Sequence, residues 1–178
     1  MQATRTQVFQ GRIIDVALER CTLPNGREVE LEVIRHPGGA AVVALDKEGR
    51  VCLVYQYRPV VGGWLWELPA GKIDPPEQPS HTACRELAEE AGVEAHNWHS
   101  LGSFHSSPGV FSEVVHLYLA TDLQYRDQAL EHDELLEVHW MPLGQALEWA
   151  VSGRISDGKT LIGLFRAAAL RQNSGLST

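Results

Sequence analysis

GKIDPPEQPSHTACRELAEEAGV (residues 71–93) contains a short predicted helix with an unbalanced charge pattern. Its glutamates Glu86, Glu89 and Glu90 fall within an arc of about 100°, because each helical residue turns by about 100°. Like charges three or four residues apart repel by about 0.2–0.5 kcal/mol per pair. The opposite face is mostly apolar and can pack on a sheet. The stretch therefore predicts a helix that is anchored on one side and acidic on the other.

Both ends of this helix carry capping signals. Ser80 is a candidate N-cap, since its hydroxyl can accept a backbone N–H of the first turn, and Gly92 stands where a left-handed residue ends a helix. Two interpretations of the acidic face are open. It is either a solvated surface or a set of oxygen ligands for a divalent cation, whose charge would relieve the repulsion.

Composition and charge exclude several classes of protein. The chain has 178 residues, 44% of them hydrophobic, which predicts one globular domain with a substantial core. A formal net charge of −8 argues against a nucleic-acid backbone or an anionic membrane surface as partner. No apolar run approaches the ~20 residues of a membrane helix.

The cysteines and the start of the chain indicate the compartment. Cys21, Cys52 and Cys84 are odd in number and far apart, which predicts free thiols and a reducing environment. Residues 2–11 (QATRTQVFQG) lack the apolar core of a signal peptide. The expected location is the cytoplasm.

The order of predicted elements gives the fold class. Asn25-Gly26 favours a hairpin between strands 7–20 and 27–35, and the break at 36–39 suggests a boundary. Further strands are predicted at 40–46, 51–57, 64–68, 98–106, 113–121 and 135–141, and C-terminal helices at 143–151 and 158–172. This order predicts an α/β (α+β) sandwich with a mixed sheet. Residues 1–38 would form an N-terminal β-hairpin lobe or dimerisation arm, and residues 39–178 the main domain.

Fixed offsets around the helix resemble a known family. Gly71, Glu77 and residues 85–93 (RELAEEAGV) match the Nudix box at every defined position. Residues 56–59 (QYRP), 64–71 (WLWELPAG) and 107–113 (SPGVFSE) resemble the ADP-ribose pyrophosphatase branch of the Nudix hydrolases. The resemblance implies an α/β/α sandwich that hydrolyses a nucleoside diphosphate linked to another group.

The same resemblance implies a metal site. Its cofactor would be Mg²⁺, for which Mn²⁺ can substitute. The implied ligands are Glu86, Glu90, Glu89 as a further ligand or support, and the backbone carbonyl of Ala70. Arg85 would orient the glutamates through charge-assisted hydrogen bonds. Gly71 would permit a tight backbone turn, and Glu77 would fix the loop to the helix.

The general base is sought in acidic residues outside the box. Glu134 aligns best with a glutamate that approaches the metal, whereas His132 stands where relatives often carry another glutamate. Glu131, Asp133 and Glu113 are therefore also candidates. A solvated acidic loop is the alternative for each of them.

The candidate substrate contacts lie outside the box as well. Arg58 is either a bidentate phosphate contact or a structural arginine. Pro108 lies 16 residues after Gly92, the offset at which the ADP-ribose enzymes that this chain resembles carry a proline, and this resemblance favours ADP-ribose or a nucleotide sugar over a dinucleoside polyphosphate. Trp66 and Glu67 complete the candidates; Trp66 shares one side of its strand with Trp64, either to contact a base or sugar or to pack in the core.

The sequence thus predicts Mg²⁺-dependent hydrolysis of ADP-ribose to AMP and ribose 5-phosphate. A GDP-mannose-like nucleotide-sugar hydrolase is the alternative in the same class, and a non-catalytic nucleotide sensor the alternative from another class. A homodimer is expected, because related enzymes commonly dimerise through N-terminal strands. Lys159, in DGKT, lacks the glycine-rich segment of a P-loop, so no P-loop role is assigned to it.

Overall fold

The computed structural model describes residues 4–129 and 135–173. The strands in these ranges are β1 Thr4–Gln10, β2 Asp15–Thr22, β3 Glu28–Arg35, β4 Gly39–Ala44, β5 Arg50–Arg58, β6 Gly63–Glu67, β7 Ala70–Lys72, β8 Val93–His105, β9 Val114–Tyr125 and β10 Leu136–Pro142. The helices are α1 Pro79–Ala91, α2 Leu143–Val151 and α3 Gly158–Asn173. No helix in the described part of the chain is long and apolar enough to cross a membrane.

The central sheet is mixed. Its strand order is β7-β4-β9-β8, in which β4 pairs parallel to β9 and the other neighbours are antiparallel. A second sheet has the order β10-β5-β6 and is antiparallel throughout. The mixed sheet predicted from the sequence is confirmed.

The buried strand β4 divides the hydrophobic core in two. Ala40, Val42 and Ala44 pack in one cluster, and Ala41 and Val43 in the other. This follows from the strand geometry, because successive side chains point to opposite faces. A strand that is buried on both faces reads as a continuous apolar run, which is why the sequence identified it correctly.

The helices cover these two clusters from opposite sides. Helix α1 contributes Ala83, Leu87 and Ala91 to the first cluster, and α2 and α3 contribute Ala146 and Leu164 to the second. The result is the α/β/α sandwich that the sequence predicted. The bounds of α2 and α3 agree with the predicted helices to within one residue.

The N-terminal segment is a three-stranded antiparallel sheet, not a two-stranded hairpin. The predicted strand 7–20 is divided by a turn, in which the Gly11 N–H donates to the Ile14 carbonyl at 2.8 Å. This turn lacks the Asn-Gly or Pro signal that marks the next one at Asn25-Gly26, so the pattern of residues 7–20 concealed it.

The third strand joins this sheet to the main body. Ile34 donates its N–H to the Val110 carbonyl at 2.7 Å and accepts the Ser112 N–H at 2.9 Å. The backbone N–H of His36 donates to the Ser112 hydroxyl at 3.1 Å. The division of the chain at residue 38 remains a prediction.

The N-terminus of α1 differs from the prediction. Its N-cap is Gln78 instead of Ser80, and Pro79 follows as the first helical residue. Proline suits this position, because its missing N–H would be unpaired there anyway. At the other end Gly92 has φ of 63° and ends the helix as predicted.

Two strands also depart from the predicted bounds. Strand β7 was not predicted, since three residues beside Pro69 are too short to give a pattern. Strand β8 begins at Val93, directly after the helix, and not at residue 98. Along the chain, β7 therefore lies shortly before α1, and β8 begins shortly after α1 ends.

Candidate active site

A cleft of about 230 Å³ opens beside the start of β4 and β7. Its ionisable lining comes from distant parts of the chain: His36, Arg58, Lys72, Glu113 and Lys159. Three of these side chains are cationic, although the chain as a whole carries a net charge of −8. The cleft therefore concentrates positive charge where an anionic ligand could enter.

Backbone atoms of β7 connect this cleft to the acidic helix. Ala70 and Gly71 line the cleft, and the Ala70 N–H donates to Glu90 Oε2 at 2.8 Å. A Cβ built on Gly71 would lie only 1.8 Å from Glu86 Oε1. Glycine is thus required here because the Glu86 carboxylate approaches closely. From the sequence, Gly71 was expected to permit a tight backbone turn.

Arg85 on α1 forms hydrogen bonds with several carboxylates. Its Nη1 donates to Glu86 at 2.7 Å and to Glu89 at 3.0 Å, and its Nε and Nη2 donate to Glu77 at 3.2 Å each. Hydrogen bonding to Glu77 is the largest of the effects that raise the pKa of Arg85, so the guanidinium stays charged. Arg85 supplies part of the countercharge that the glutamate cluster requires.

Glu77 ties the preceding loop to the helix. It accepts the Thr82 hydroxyl at 2.7 Å as well as the two Arg85 donors. These hydrogen bonds, led by the one from Arg85, hold the pKa of Glu77 below its ordinary value. The contacts are those expected of a residue that fixes the loop.

The donor set of α1 suits Mg²⁺ in chemical type. The glutamates at 86, 89 and 90 offer hard carboxylate oxygens, and the close approach of Glu86 to Gly71 brings one of them against the β7 backbone. Among residues 4–129 and 135–173, however, no three His, Cys, Asp or Glu side chains form a ready-made metal-binding group. Ala70 contacts Glu90 through its N–H, whereas its predicted role used the carbonyl.

Arg58 and Glu67 form a closely matched ion pair on one face of the β5-β6 hairpin. Nε and Nη2 of Arg58 donate to the two oxygens of Glu67 at 2.8 Å each. Lys159, from α3, donates to Glu67 Oε2 as well. Burial raises the pKa of Glu67, but Arg58 and Lys159 outweigh this effect, so its pKa lies below the ordinary value. Glu67 is therefore an anion that holds two cations.

Trp66 lies on the other face of β6. Its ring contacts Tyr55, His139 and Trp149, with centroids 4.6, 4.8 and 5.2 Å away. Trp64 stacks on Tyr55 as well, so the two tryptophans share one side of the strand as predicted. Of the two interpretations given for Trp66, these contacts favour packing.

Pro108 is exposed and lies in a turn that docks on β3. The turn is closed by the N–H groups of Val110 and Phe111, which donate to the Ser107 carbonyl at 3.2 and 2.9 Å. Phe111 packs on the His36 ring, with centroids 5.3 Å apart. Pro108 thus shapes a segment next to the cleft and does not line it.

His36 and Glu113 face each other in the cleft, 3.6 Å apart. Nδ1 of His36 accepts the Gly38 N–H at 3.0 Å. Burial lowers the pKa of His36. The nearby Glu113 carboxylate opposes this effect, and the positive charge of Lys72 adds to it. The imidazole is therefore neutral at pH 7, and Glu113 is the base candidate that lies in the described part of the cleft.

The other base candidates, Glu131, Asp133 and Glu134, lie outside the described residues. The described residues that flank this segment form hydrogen bonds with α1 on one side and with β5 on the other. Ala129 donates its N–H to the Glu89 carbonyl at 3.1 Å, and Gln128 donates to the Glu90 carbonyl. On the far side, Leu135 accepts the Tyr57 N–H at 3.0 Å, next to Arg58.

Sequence reasoning missed three ionisable residues of the cleft: His36, Lys72 and Lys159. His36 belongs to the break before β4, and its partner Glu113 is remote in sequence. Lys159 follows an Asp-Gly pair that signals a helix start, but nothing local connects it with Glu67, 92 residues earlier. Only the tertiary fold brings these groups together.

A sandwich of this topology, with carboxylates and cations meeting at one cleft, defines an enzyme suited to a phosphorylated substrate. The chain belongs to the NUDIX family, since the family model described as NUDIX domain matches residues 35–160.

Two relatives are similar to this chain in sequence, and one solved structure is similar in fold. A methanol dehydrogenase activator from Bacillus methanolicus is 39% identical over 158 residues, covering 88% of this chain and 85% of that protein. An ADP-ribose pyrophosphatase from Bacillus subtilis (strain 168) is 38% identical over 158 residues, with the same coverage of 88% and 85%. A crystal structure titled as an ADP compounds hydrolase aligns with a TM-score of 0.82 at 22% identity, covering 98% of this chain and 97% of that one. This last similarity supports the fold alone.

Proposed function

We propose that this protein hydrolyses the pyrophosphate bond of ADP-ribose in the presence of Mg²⁺, releasing AMP and ribose 5-phosphate. One observation carries the proposal: Ala70 and Gly71 contact the carboxylates of Glu90 and Glu86 and also line the cationic cleft. A diphosphate in this cleft would lie between carboxylates on one side and cations on the other.

The anionic and cationic residues of the site have different roles in the proposed reaction. Glu86, Glu89 and Glu90 would hold the metal ion, and Arg85 keeps the carboxylates of Glu86 and Glu89 together. Arg58 binds and orients the phosphates. Bound Mg²⁺ neutralises phosphate charge and lowers the pKa of a bound water. Glu113, or an acidic residue of segment 131–134, accepts the proton of the attacking water.

The choice of ADP-ribose among nucleoside diphosphates rests on relatives. The Bacillus subtilis protein bears the name of an ADP-ribose pyrophosphatase and aligns over most of both chains. Pro108 stands at the offset from Gly92 that marks ADP-ribose enzymes. The three free thiols support a reducing compartment, and we assign the protein to the cytoplasm.

A substrate panel tests the proposal. The protein is incubated with Mg²⁺ and ADP-ribose, GDP-mannose, UDP-glucose, NADH or diadenosine polyphosphates, and phosphatase then reveals released monophosphates. We expect AMP and ribose 5-phosphate from ADP-ribose with the highest kcat/KM. Preference for GDP-mannose would support the alternative hydrolase, and tight ADP-ribose binding without turnover would support a sensor.

Glu90→Gln tests the metal assignment. The amide keeps an oxygen that can accept the Ala70 N–H but removes the charge, so we expect the fold to persist and kcat to fall at least about 100-fold, equivalent to about 2.7 kcal/mol. Glu48→Gln, in an exposed turn, removes the same charge away from the cleft and should leave kcat unchanged. Near-normal turnover of Glu90→Gln with Mg²⁺ would refute the assignment.

We also propose that the protein is a homodimer. One face of the N-terminal sheet opens into a largely apolar cleft of about 510 Å³, lined by Val8, Val16, Ala17, Leu18, Ile34 and Val110 and also by Glu32. Val8 and Val110 are exposed in the single chain. An apolar surface of this kind is typical of a protein–protein interface, and a second copy of the chain is the occupant proposed here.

A further inference from the structure

The Glu67 carboxylate is the centre of a charged cluster behind the cleft. Its side chain is only 2% exposed, whereas the side chains of its partners Arg58 and Lys159 are 38% and 17% exposed. Asp157 supplies a second carboxylate, 3.1 Å from the Lys159 ammonium. The two cations line the cleft and the two carboxylates lie behind them. The cluster thus turns its positive side towards the cleft.

Lys159 is held in this position by the start of α3. Asp157 accepts the backbone N–H of Thr160 at 3.0 Å and its hydroxyl at 2.6 Å, which caps the helix. The same hydroxyl accepts the Leu68 N–H at 2.8 Å, one residue after Glu67. Gly163 allows a close approach of α3 to the sheet, because a Cβ there would lie 2.6 Å from Leu68 Cδ1.

The cations retain hydrogen-bonding capacity towards the cleft. Glu67 takes two of the five N–H groups of the Arg58 guanidinium. The Lys159 ammonium has three N–H groups. Among the described residues, it forms ion pairs with Glu67 and Asp157. Because Glu67 contacts both groups, it fixes their separation, which prepares them to bind a pair of linked phosphates.

We propose that Lys159 is a second phosphate-binding residue, which contacts the diphosphate of the substrate beside Arg58 while Glu67 holds both cations in place. This inference rests on the proposed function for the identity of the substrate, but it concerns a separate element, α3. The chemical class that it predicts for the ligand is a nucleoside diphosphate. Glu67, predicted from the sequence as a substrate contact, becomes a positioning residue.

Direct binding of ADP tests the role of Lys159 without relying on turnover. Calorimetric titration with ADP and Mg²⁺ is carried out on the wild-type protein and on Lys159→Gln, whose amide can still donate to Glu67 but has no charge. We expect the Kd for ADP to rise at least tenfold and its dependence on NaCl concentration to weaken. Lys159→Arg, which keeps the charge, should lie closer to the wild type.

Lys47→Gln is the matched control, because Lys47 is 80% exposed and lies 3.9 Å from Asp122, away from the cleft. It should leave the Kd for ADP unchanged. An unchanged Kd in Lys159→Gln, or an unchanged salt dependence despite weaker binding, would overturn the inference. If Lys159→Gln does not fold, an ADP affinity of Lys159→Arg equal to that of Lys47→Gln supports it, and a loss of more than tenfold overturns it.

These results are separate from a failure of the proposed function. A wild-type protein that releases no nucleoside monophosphate from any diphosphate of the panel would refute hydrolysis. The ADP titration would then still decide whether Lys159 binds a diphosphate.

Discussion

At the scale of single residues, the acidic face of α1 is balanced by Arg85 and by the backbone of β7. Arg85 bonds to Glu86 and Glu89, and the Ala70 N–H bonds to Glu90. The glutamate crowding is therefore not a solvated surface pattern. Glu86 and Glu90 are buried, Glu89 is partly exposed, and all three are hydrogen-bonded, an arrangement that a metal site would require.

The first prediction concerns Gly71→Ala. The added Cβ would lie 1.8 Å from Glu86 Oε1, so the carboxylate must move away from its position beside β7. Because a misplacement of about 1 Å can cost about 100-fold in rate, we expect kcat/KM for ADP-ribose to fall by about that factor. Melting temperature should change little, since the displaced group is the end of a flexible side chain.

Gly144→Ala is the control for this change. A Cβ at Gly144 in α2 meets no atom within 4 Å, so the same substitution there should leave kcat/KM unaltered. Wild-type activity in Gly71→Ala would show that the position of the Glu86 carboxylate is not critical for the reaction.

A second prediction concerns Glu67 and pH. Its pKa in the folded protein is below the ordinary value, so its ion pairs stabilise the fold fully above the unfolded-state pKa of about 4.3. This stability is lost as pH falls through the lower folded-state pKa. We expect Glu67→Gln to lower the free energy of unfolding by about 1–3 kcal/mol at pH 7, a value reduced for the partial exposure of Arg58.

Urea unfolding at pH 7 and below pH 4 measures this difference, which should shrink at the acidic pH. Glu30→Gln is the control, because Glu30 pairs with Arg20 at 2.6 Å on an exposed surface, where an ion pair contributes about 0–1 kcal/mol. A difference for Glu67→Gln that stays constant with pH would contradict the charged state assigned to Glu67.

At the scale of elements, the end of α1 also anchors the segment that leads to the predicted base. Gly92 has φ of 63°, and its carbonyl accepts the Arg126 N–H at 2.7 Å. A Cβ on Gly92 would lie 2.7 Å from the Arg126 carbonyl oxygen. One glycine thus ends the helix and lets residues 126–129 pass beside Glu89 and Glu90.

Gly92→Ala is therefore predicted to be destabilising. We expect a loss of about 2–4 kcal/mol in urea unfolding, composed of about 1–2 kcal/mol for the left-handed conformation and the remainder for the clash. Gly153→Ala isolates the first part, because Gly153 has φ of 80° and open space around its Cβ position. Equal losses in the two variants would show that the contact with residue 126 is unimportant.

Elements with a strong local pattern could be predicted from the sequence. Strand β4 is a continuous apolar run, and the bounds of α2 and α3 follow from helical periodicity. The turn after Gly11 and the three-residue strand β7 could not be predicted, because neither has turn chemistry or enough residues to give a period. Ser80 was predicted as the N-cap from residue preference alone. The helix instead begins at Pro79, which suits the first helical position.

At the scale of the whole molecule, the site combines local and remote signals. The helix carrying Glu86, Glu89 and Glu90 could be found from spacing within 23 residues. Lys159 could not, since its contact with Glu67 depends on the packing of α3 against β6. A single sequence records the residues of a cleft but not which of them the fold brings together.

The proposed dimer is tested by a charge placed in the apolar cleft of the N-terminal sheet. Leu18→Glu puts a second carboxylate into this cleft, directly opposite Glu32 on β3, so that like-charge repulsion adds to the desolvation cost of association. We expect sedimentation equilibrium to give twice the chain mass for the wild type and the single-chain mass for Leu18→Glu. Leu31→Glu is the control, because Leu31 pairs with Glu19 on the opposite face of the sheet and should leave the dimer intact. A Leu18→Glu variant that remains dimeric would exclude this face, and with it the proposal that a second copy of the chain fills the cleft.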